Sequence, residues 1–372
     1  MSTAAGRGGS AVAVHQFVPT LNPFDATGSH TLLLRDILRQ AGWRSEIFAE
    51  AIHDDLAHEA TKYWHYPEQA AEGDIAIYQF STSSAVAGFL AEREQPLILD
   101  FHNFTGPELF HGWEPRTEER AARAIEELAL LAPRAALGMA DSTFNEQALR
   151  RAGCRRTAVV PVLVDYQRVQ AAPDPFVAAE LHRLKASGGA ALLFVGRIVP
   201  SKAQHELVQA LWVFRQSYDP AARLHLVGGT SSFEYLKALR EYIDDLGLSG
   251  AVRIVGQVSD AALAAYFEAA DLYLSLSVHE GFGVPLVEAM TAGVPVVARR
   301  AGAIAETAAD GALLLESTDH AYVAAAVHRV LGDGALRQHL VEAGRARVAA
   351  LGADSVGDRL VEAVASVAGA PA

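Results

Sequence analysis

The feature that most constrains this chain is an alternation that runs through it twice. Apolar runs of strand length are followed by longer stretches with apolar residues at helical spacing. In the first half the runs are AVAVHQF from Ala11, SEIF from Ser45, DIAIYQF from Asp74, PLILDF from Pro96, ALGMA from Ala136 and TAVVPV from Thr157. Amphipathic stretches such as HTLLLRDILRQAG and TEERAARAIEELALLA lie between them. Strands joined by helical crossovers pair in parallel, and the helices cover both faces of the sheet. The pattern breaks at PVLVDYQRVQAAPDPF, where three prolines deny the backbone both ladder and helix continuity. It restarts with ALLFVG from Ala191, RLHLVGG from Arg223, VRIVG from Val252, LYLSLS from Leu272, VPVVAR from Val294 and ALLLE from Ala312. A chain of 372 residues accommodates two domains. The expected class is α/β, with two doubly wound, Rossmann-like units over 1–170 and 171–352, facing each other across a cleft. In such sheets ligands bind beyond the carboxyl ends of the strands, so chemistry is sought in the loops that follow them.

Composition narrows the function. Hydrophobic residues make up 51% of the chain and charged residues 20%, enough apolar matter for two cores. The net charge of −13 is shared evenly by the two halves, and neither is basic, which argues against a nucleic-acid partner. The single cysteine, Cys154, excludes an intramolecular disulfide. Arginines at 151, 155 and 156 could depress its pKa, although a small buried residue at a helix-to-strand turn is the plainer reading. The start MSTAAGRGGS has no apolar core behind it and does not read as a signal peptide. No apolar run approaches the ~20 residues of a membrane span. The expected location is the cytoplasm, with at most peripheral contact at the inner membrane face. The expected metal is none: HExxH and Cys-rich patterns are lacking, as are GxGxxG after the first strand and a Walker A sequence.

The segment that carries chemistry is HEGFGVPLVEAMTAG, His279 to Gly293, after the run LYLSLS. Pro285 suits the first turn of a helix, where a missing N–H costs nothing. Gly281 and Gly283 let backbone approach a ligand closely. The N–H groups from Phe282 through Val284 to Leu286 would then form an anion site suited to a diphosphate. Glu280 and Glu288 place one carboxylate on each side of that turn, acceptors suited to paired hydroxyls of a sugar or ribose.

With these residues in place, the segment resembles the E-x7-E signature of family-4 retaining glycosyltransferases, which have the two-Rossmann GT-B fold. VGRIVPSKAQHELVQAL is similar to that family's Gly-Arg-x5-Lys segment at Gly196, Arg197 and Lys202. IVGQVSD, with Gly256, and then AGVPVVAR and DGALLL follow in the family's order. The resemblance implies that Glu280 holds donor-sugar hydroxyls, that Glu288 holds the ribose, and that Arg197 and Lys202 grip the donor diphosphate. It also implies a closing segment, 353–372, that crosses back to the first domain. The family usually has Gly after the lysine, where this chain has Ala203.

The first half is less typical. The resemblance implies a Gly-rich loop after the first strand, and VPTLNPFDATGSH offers only Gly28, which opens a helix and could present N–H groups to an anion. His102 matches the family's first-domain histidine against the donor sugar, where a neutral imidazole can bond a hydroxyl. Asn103, Thr105 and Glu108 are weaker acceptor-side candidates. His53 and His58 do not share a helix face, so a metal between them is not expected. His279 reads as a support for Glu280.

The resulting expectation is a retaining, metal-independent hexosyltransferase that takes an NDP-sugar as co-substrate and a hydroxyl acceptor in glycan, glycolipid or metabolite synthesis. Two rival readings are another GT-B sugar-nucleotide enzyme, an epimerase or phosphorylase, and a non-catalytic sugar-nucleotide-binding partner subunit.

Overall fold

A computed structural model describes residues 12–368, apart from 24, 72 and 165. The MSTAAGRGGS start and the last residues of the closing segment, 369–372, lie outside the described residues, as does the first residue of the AVAVHQF run.

The first sheet contains β1 (Val14–Leu21), β2 (Ile47–Ile52), β3 (Thr61–Lys62), β4 (Ile75–Phe80), β5 (Leu97–Phe101), β6 (Leu137–Ala140) and β7 (Thr157–Val159). All pairs are parallel, in the order β3-β2-β1-β4-β5-β6-β7. The second contains β8 (Ala191–Val195), β9 (Arg223–Val227), β10 (Val252–Gly256), β11 (Leu272–Ser275), β12 (Val296–Arg299) and β13 (Ala312–Leu315), again all parallel, in the order β10-β9-β8-β11-β12-β13. Every apolar run read from the sequence forms a strand. The SEIF run starts later and extends further, to Ile52. The two-residue β3 is the addition: its residues, Thr61 and Lys62, carry no apolar run to betray it.

The strands β4 and β5 are buried along their whole length, as helix-covered parallel strands must be. Phe17, Phe48, Tyr78, Phe80 and Leu99 fill one face of the first sheet. On the other face Leu34, Leu38 and Trp43 meet Val356, Leu360 and Val364 of the final helix, Ala353–Ala368. That helix therefore lies on the first domain, and each such side chain taken from water contributes about 1.5–3 kcal/mol.

Each sheet reverses its strand order at one point, between β1 and β4 in the first and between β8 and β11 in the second. The loops leaving these strands face one another across the domain boundary.

Candidate functional site

In the second domain β8 leads to Gly196 and the exposed Arg197, then to a short turn, Pro200–Lys202. Arg197 makes no side-chain ion pair among the described residues. Its carbonyl accepts from Gln204 Nε2 at 2.8 Å, which pins the loop to the following helix, Gln204–Ser217. Lys202 reaches back across the sheet, and its Nζ lies 2.6 Å from Glu280 Oε1. Both side chains are largely covered. Beyond β11 the chain passes His279 and Glu280 to Gly283, whose φ of +95° starts the helix Val284–Thr291 with Pro285 in its first turn. Glu288 points inward from that helix, buried, with Arg168 Nε at 3.9 Å from Oε1. Arg168 also pairs with Asp260 at 3.0 Å. Gly256, at the end of β10, flanks this group on the same edge of the sheet.

The first domain presses directly on the Glu280–Gly283 loop. Ser142, the N-cap of the helix Thr143–Arg151, donates its Oγ hydrogen to the Gly281 carbonyl at 3.0 Å. A Cβ on Gly281 would stand 2.8 Å from the His102 carbonyl oxygen, so only glycine allows this approach. The Phe282 ring packs with Val162, Val164, Val287 and Leu351 in the linker region. Glu306 of the second domain accepts from the Thr143 N–H at 2.9 and 2.8 Å and from its hydroxyl at 3.0 Å. Trp113 meets Tyr235 edge-on across the boundary, with ring centroids 5.4 Å apart.

Behind His102 lies a buried polar cluster drawn from the ends of β1, β4, β5 and β6. His102 Nδ1 lies 3.0 Å from Asp141 Oδ1, and its Nε2 is 2.6 Å from Gln79 Oε1 and 4.0 Å from Asp100 Oδ2. Gln79 Nε2 donates to Gln16 Oε1 at 3.0 Å, and Gln16 Nε2 donates to the Thr31 carbonyl at 3.0 Å. His30 Nε2 lies 3.1 Å from Asp100, and its Nδ1 accepts the Leu163 N–H at 3.1 Å. Burial alone would lower the pKa of His102, but Asp141 and Asp100 outweigh it, and the ring is pushed up to about 9.

Residues 182–347 match the family described as glycosyl transferases group 1. The chain belongs to this family through its second domain. It is 36% identical over 201 residues, 52% of this chain and 43% of the relative, to a D-inositol 3-phosphate glycosyltransferase of Geodermatophilus obscurus. It is 29% identical over 332 residues, 86% of this chain and 72% of the relative, to the protein of that name from Nocardiopsis dassonvillei. The chain spans about two-fifths of the first of these curated relatives. Among solved structures, Anabaena HepE in complex with UDP-glucose superposes with a TM-score of 0.76 at 22% identity, covering 95% of this chain and 99% of that one. The shared architecture is the GT-B fold.

In this group 1 chain several expected site residues stand together: Gly196, Arg197, Lys202, Gly256, Glu280, Gly281, Gly283, Val284 and Glu288 lie on one edge of the second sheet or in the loops and helix start beyond it. Others are placed differently. The Phe282 ring packs at the domain boundary rather than facing a ligand, leaving only its N–H to the anion-binding turn. The Gly28 N–H is already taken by Asp25 Oδ1, at 2.6 Å, because Asp25 caps the helix Ala26–Gln40. A Cβ at Gly28 would run into the Asn22 carbonyl, so its need for glycine is steric. Both ring nitrogens of His102 are engaged inside the protein, so neither is open to a sugar hydroxyl in this arrangement. Asn103, at φ +64°, spends its side chain on Asn145 (2.7 Å) and on the Phe104 N–H (2.7 Å), which makes it part of the boundary. Thr105 is half-buried and Glu108 exposed on the loop beyond it. Cys154 is buried, and burial pushes its thiol pKa up, so the neighbouring arginines do not depress it. Burial likewise lowers the His279 pKa. Sequence reasoning missed Gln16, His30, Gln79, Asp100, Asp141, Arg168 and Glu306. The one legible signal was a polar residue inside otherwise apolar strand runs, at Gln16, Gln79 and Asp100.

His30, Asp100 and His102 bring donor atoms within 4.8 Å of one another, as a metal site does. The hydrogen bonding opposes that use. His30 Nδ1 accepts a backbone N–H, so Nε2 carries the ring proton and has no lone pair for an ion.

Among the described residues no helix is long and apolar enough to cross a membrane.

Proposed function

We propose that this chain transfers a hexosyl group from an NDP-sugar to a hydroxyl acceptor with retention of anomeric configuration and without a metal ion. The observation that carries the reading is the juxtaposition of Lys202, Glu280 and the N-terminus of the helix Val284–Thr291 at the domain boundary. A cation, a carboxylate and free helix N–H groups together match the diphosphate and the hydroxyls of a sugar nucleotide. The name of the curated relatives and the UDP-glucose bound by HepE support the same ligand class.

In this reading Arg197 and Lys202 hold the diphosphate, and Glu288, seated beside Arg168, faces the ribose. Glu280 exchanges its contact with Lys202 for hydroxyls of the donor sugar. The bond between the anomeric carbon and the phosphate oxygen breaks, and the acceptor oxygen bonds to the same carbon from the same face. The acceptor proton passes to the leaving phosphate oxygen. Charge that develops on the diphosphate meets fixed cations and N–H dipoles, which need no reorganisation at that moment. The acceptor enters from the first-domain side, past Asn103, Thr105 and Glu108.

A panel of NDP-sugars, read by thermal shift and by slow hydrolysis, identifies the donor. Arg197→Ala is expected to weaken nucleotide diphosphate binding by calorimetry about ten-fold or more, as loss of a charge-assisted contact does; unchanged affinity refutes the diphosphate role. An inverted product anomer by NMR, or turnover abolished by EDTA, refutes retention or metal independence.

A further inference from the structure

The polar cluster behind His102 has its hydrogen-bond directions fixed from one end. The Thr31 carbonyl can only accept, so Gln16 must turn its NH2 toward it. Gln16 then offers Oε1 to Gln79, and Gln79 must turn its NH2 toward Gln16. That leaves Gln79 Oε1 facing His102 Nε2 at 2.6 Å, so Nε2 carries a hydrogen. On the opposite side of the ring, Nδ1 faces the buried carboxylate of Asp141 at 3.0 Å, and it too donates. A ring that donates from both nitrogens is a cation. His30 is the contrast, with Nδ1 accepting and Nε2 donating to Asp100, the neutral pattern.

We propose that Gln16, Gln79 and Asp141 are positioning residues. They fix His102 as an imidazolium, and that cation holds the chain at His102–Asn103 in the shape that receives the Glu280–Gly283 loop. The proposal rests on the donor-site reading of that loop for its consequence, though not for the charge itself. The contact is direct, because the His102 carbonyl is what a Cβ on Gly281 would strike. Asn103, the next residue, is held at φ +64°, a conformation an L-residue keeps only when its surroundings enforce it. If the ring lost a proton, a lone pair would face either the Gln79 oxygen or the Asp141 carboxylate. The ring would then have to turn, and the strained chain beside it would be released. The charged and titratable groups facing the ring are Asp141, Asp100 and Asp25, with His30 stacked edge-on at 5.0 Å. Three carboxylates around one cation favour the protonated ring.

The deciding measurement is a set of long-range 15N–1H spectra of histidine-labelled protein, with the His102 signals assigned by their loss in His102→Gln. At pH 7.5 both His102 nitrogens are expected in the protonated range, and they should titrate only near pH 9. One protonated and one bare nitrogen at pH 7.5 overturns the proposal. Gln16→Leu, which does not touch His102, frees Gln79 to flip and present its NH2 to Nε2. The His102 titration is then expected to fall by about one pH unit or more, and the alkaline limit of transfer to fall with it. An unmoved titration in folded Gln16→Leu shows that the relay does not set the charge and also overturns the proposal. If no transfer is found at all, the donor-site reading fails while the ring spectra still decide the charge.

Discussion

Lys202 and Glu280, each read as a ligand contact, are partners of one another, and their 2.6 Å contact keeps both largely covered side chains compensated. Glu280→Gln keeps the size and one acceptor oxygen but loses the charge. Folding should be nearly unchanged by circular dichroism, while transfer should fall by roughly 10²–10³-fold, the usual cost of losing one preorganised polar contact to the transition state. Full activity in that variant would remove Glu280 from the site. The His102 cation has a consequence for stability as well. Its pKa rises in the folded protein from the ordinary 6.5 to about 9, so the native state binds this proton more tightly than the unfolded chain does. The contribution is complete below about pH 6.5 and is lost as the pH rises toward 9. The wild-type melting temperature should therefore decline over that window, and the decline should be smaller in His102→Gln. Equal slopes for the two proteins would contradict the shifted pKa.

At the scale of single elements the turn Pro200–Lys202 explains a departure from the family. Ala203, which follows it, has φ +51° and ψ +42°, a left-handed conformation that costs an L-residue about 1–2 kcal/mol relative to the right-handed one. Glycine takes this conformation freely, which gives a physical reason for the family's usual Gly at that place. Ala203→Gly should raise stability, by about 1 kcal/mol or less because a buried methyl is lost as well. Thermal unfolding checks the sign, and a fall in melting temperature would mean that packing outweighs strain. Elements of this kind divide what the sequence reveals from what it hides. The strands beneath the site were legible because helix-covered parallel strands must be continuously apolar, as in IAIYQF and ALLFV. The donor-side residues were legible because Gly196 to Lys202 and Glu280 to Glu288 are short contiguous segments. The cluster behind His102 was not. Its members come from β1, β4, β5 and β6 and from the helix Ala26–Gln40, and only the sheet order β1-β4-β5-β6 brings them together. Lys202 and Glu280, similarly, declare their types in the sequence but not that they touch, because β8 and β11 are neighbours only in space.

At the scale of the whole molecule the two domains touch through small, specific contacts. The Ser142 hydroxyl reaches the Gly281 carbonyl, Glu306 caps the helix Thr143–Arg151, and Trp113 meets Tyr235. These contacts join the donor loop of one domain to the strand ends of the other, so closure and site assembly are one event. The Glu306 contact is exposed and behaves as an N-cap supplied in trans, which is worth roughly 1 kcal/mol. A loss of that size shifts a closure equilibrium about five-fold. Glu306→Ala should thus weaken donor binding by about that factor and enlarge the radius of gyration in solution scattering, leaving the sheets intact. Gly281→Ala should act more strongly, because the added methyl stands 2.8 Å from a backbone oxygen that no rotamer change can clear. The boundary must part to admit it. In scattering Gly281→Ala should therefore resemble an opened form of the wild type even with saturating nucleotide, whereas Glu306→Ala should close again when nucleotide is added. If Gly281→Ala closes as readily as the wild type, the His102–Gly281 approach does not govern closure, and the site assembles by a different contact.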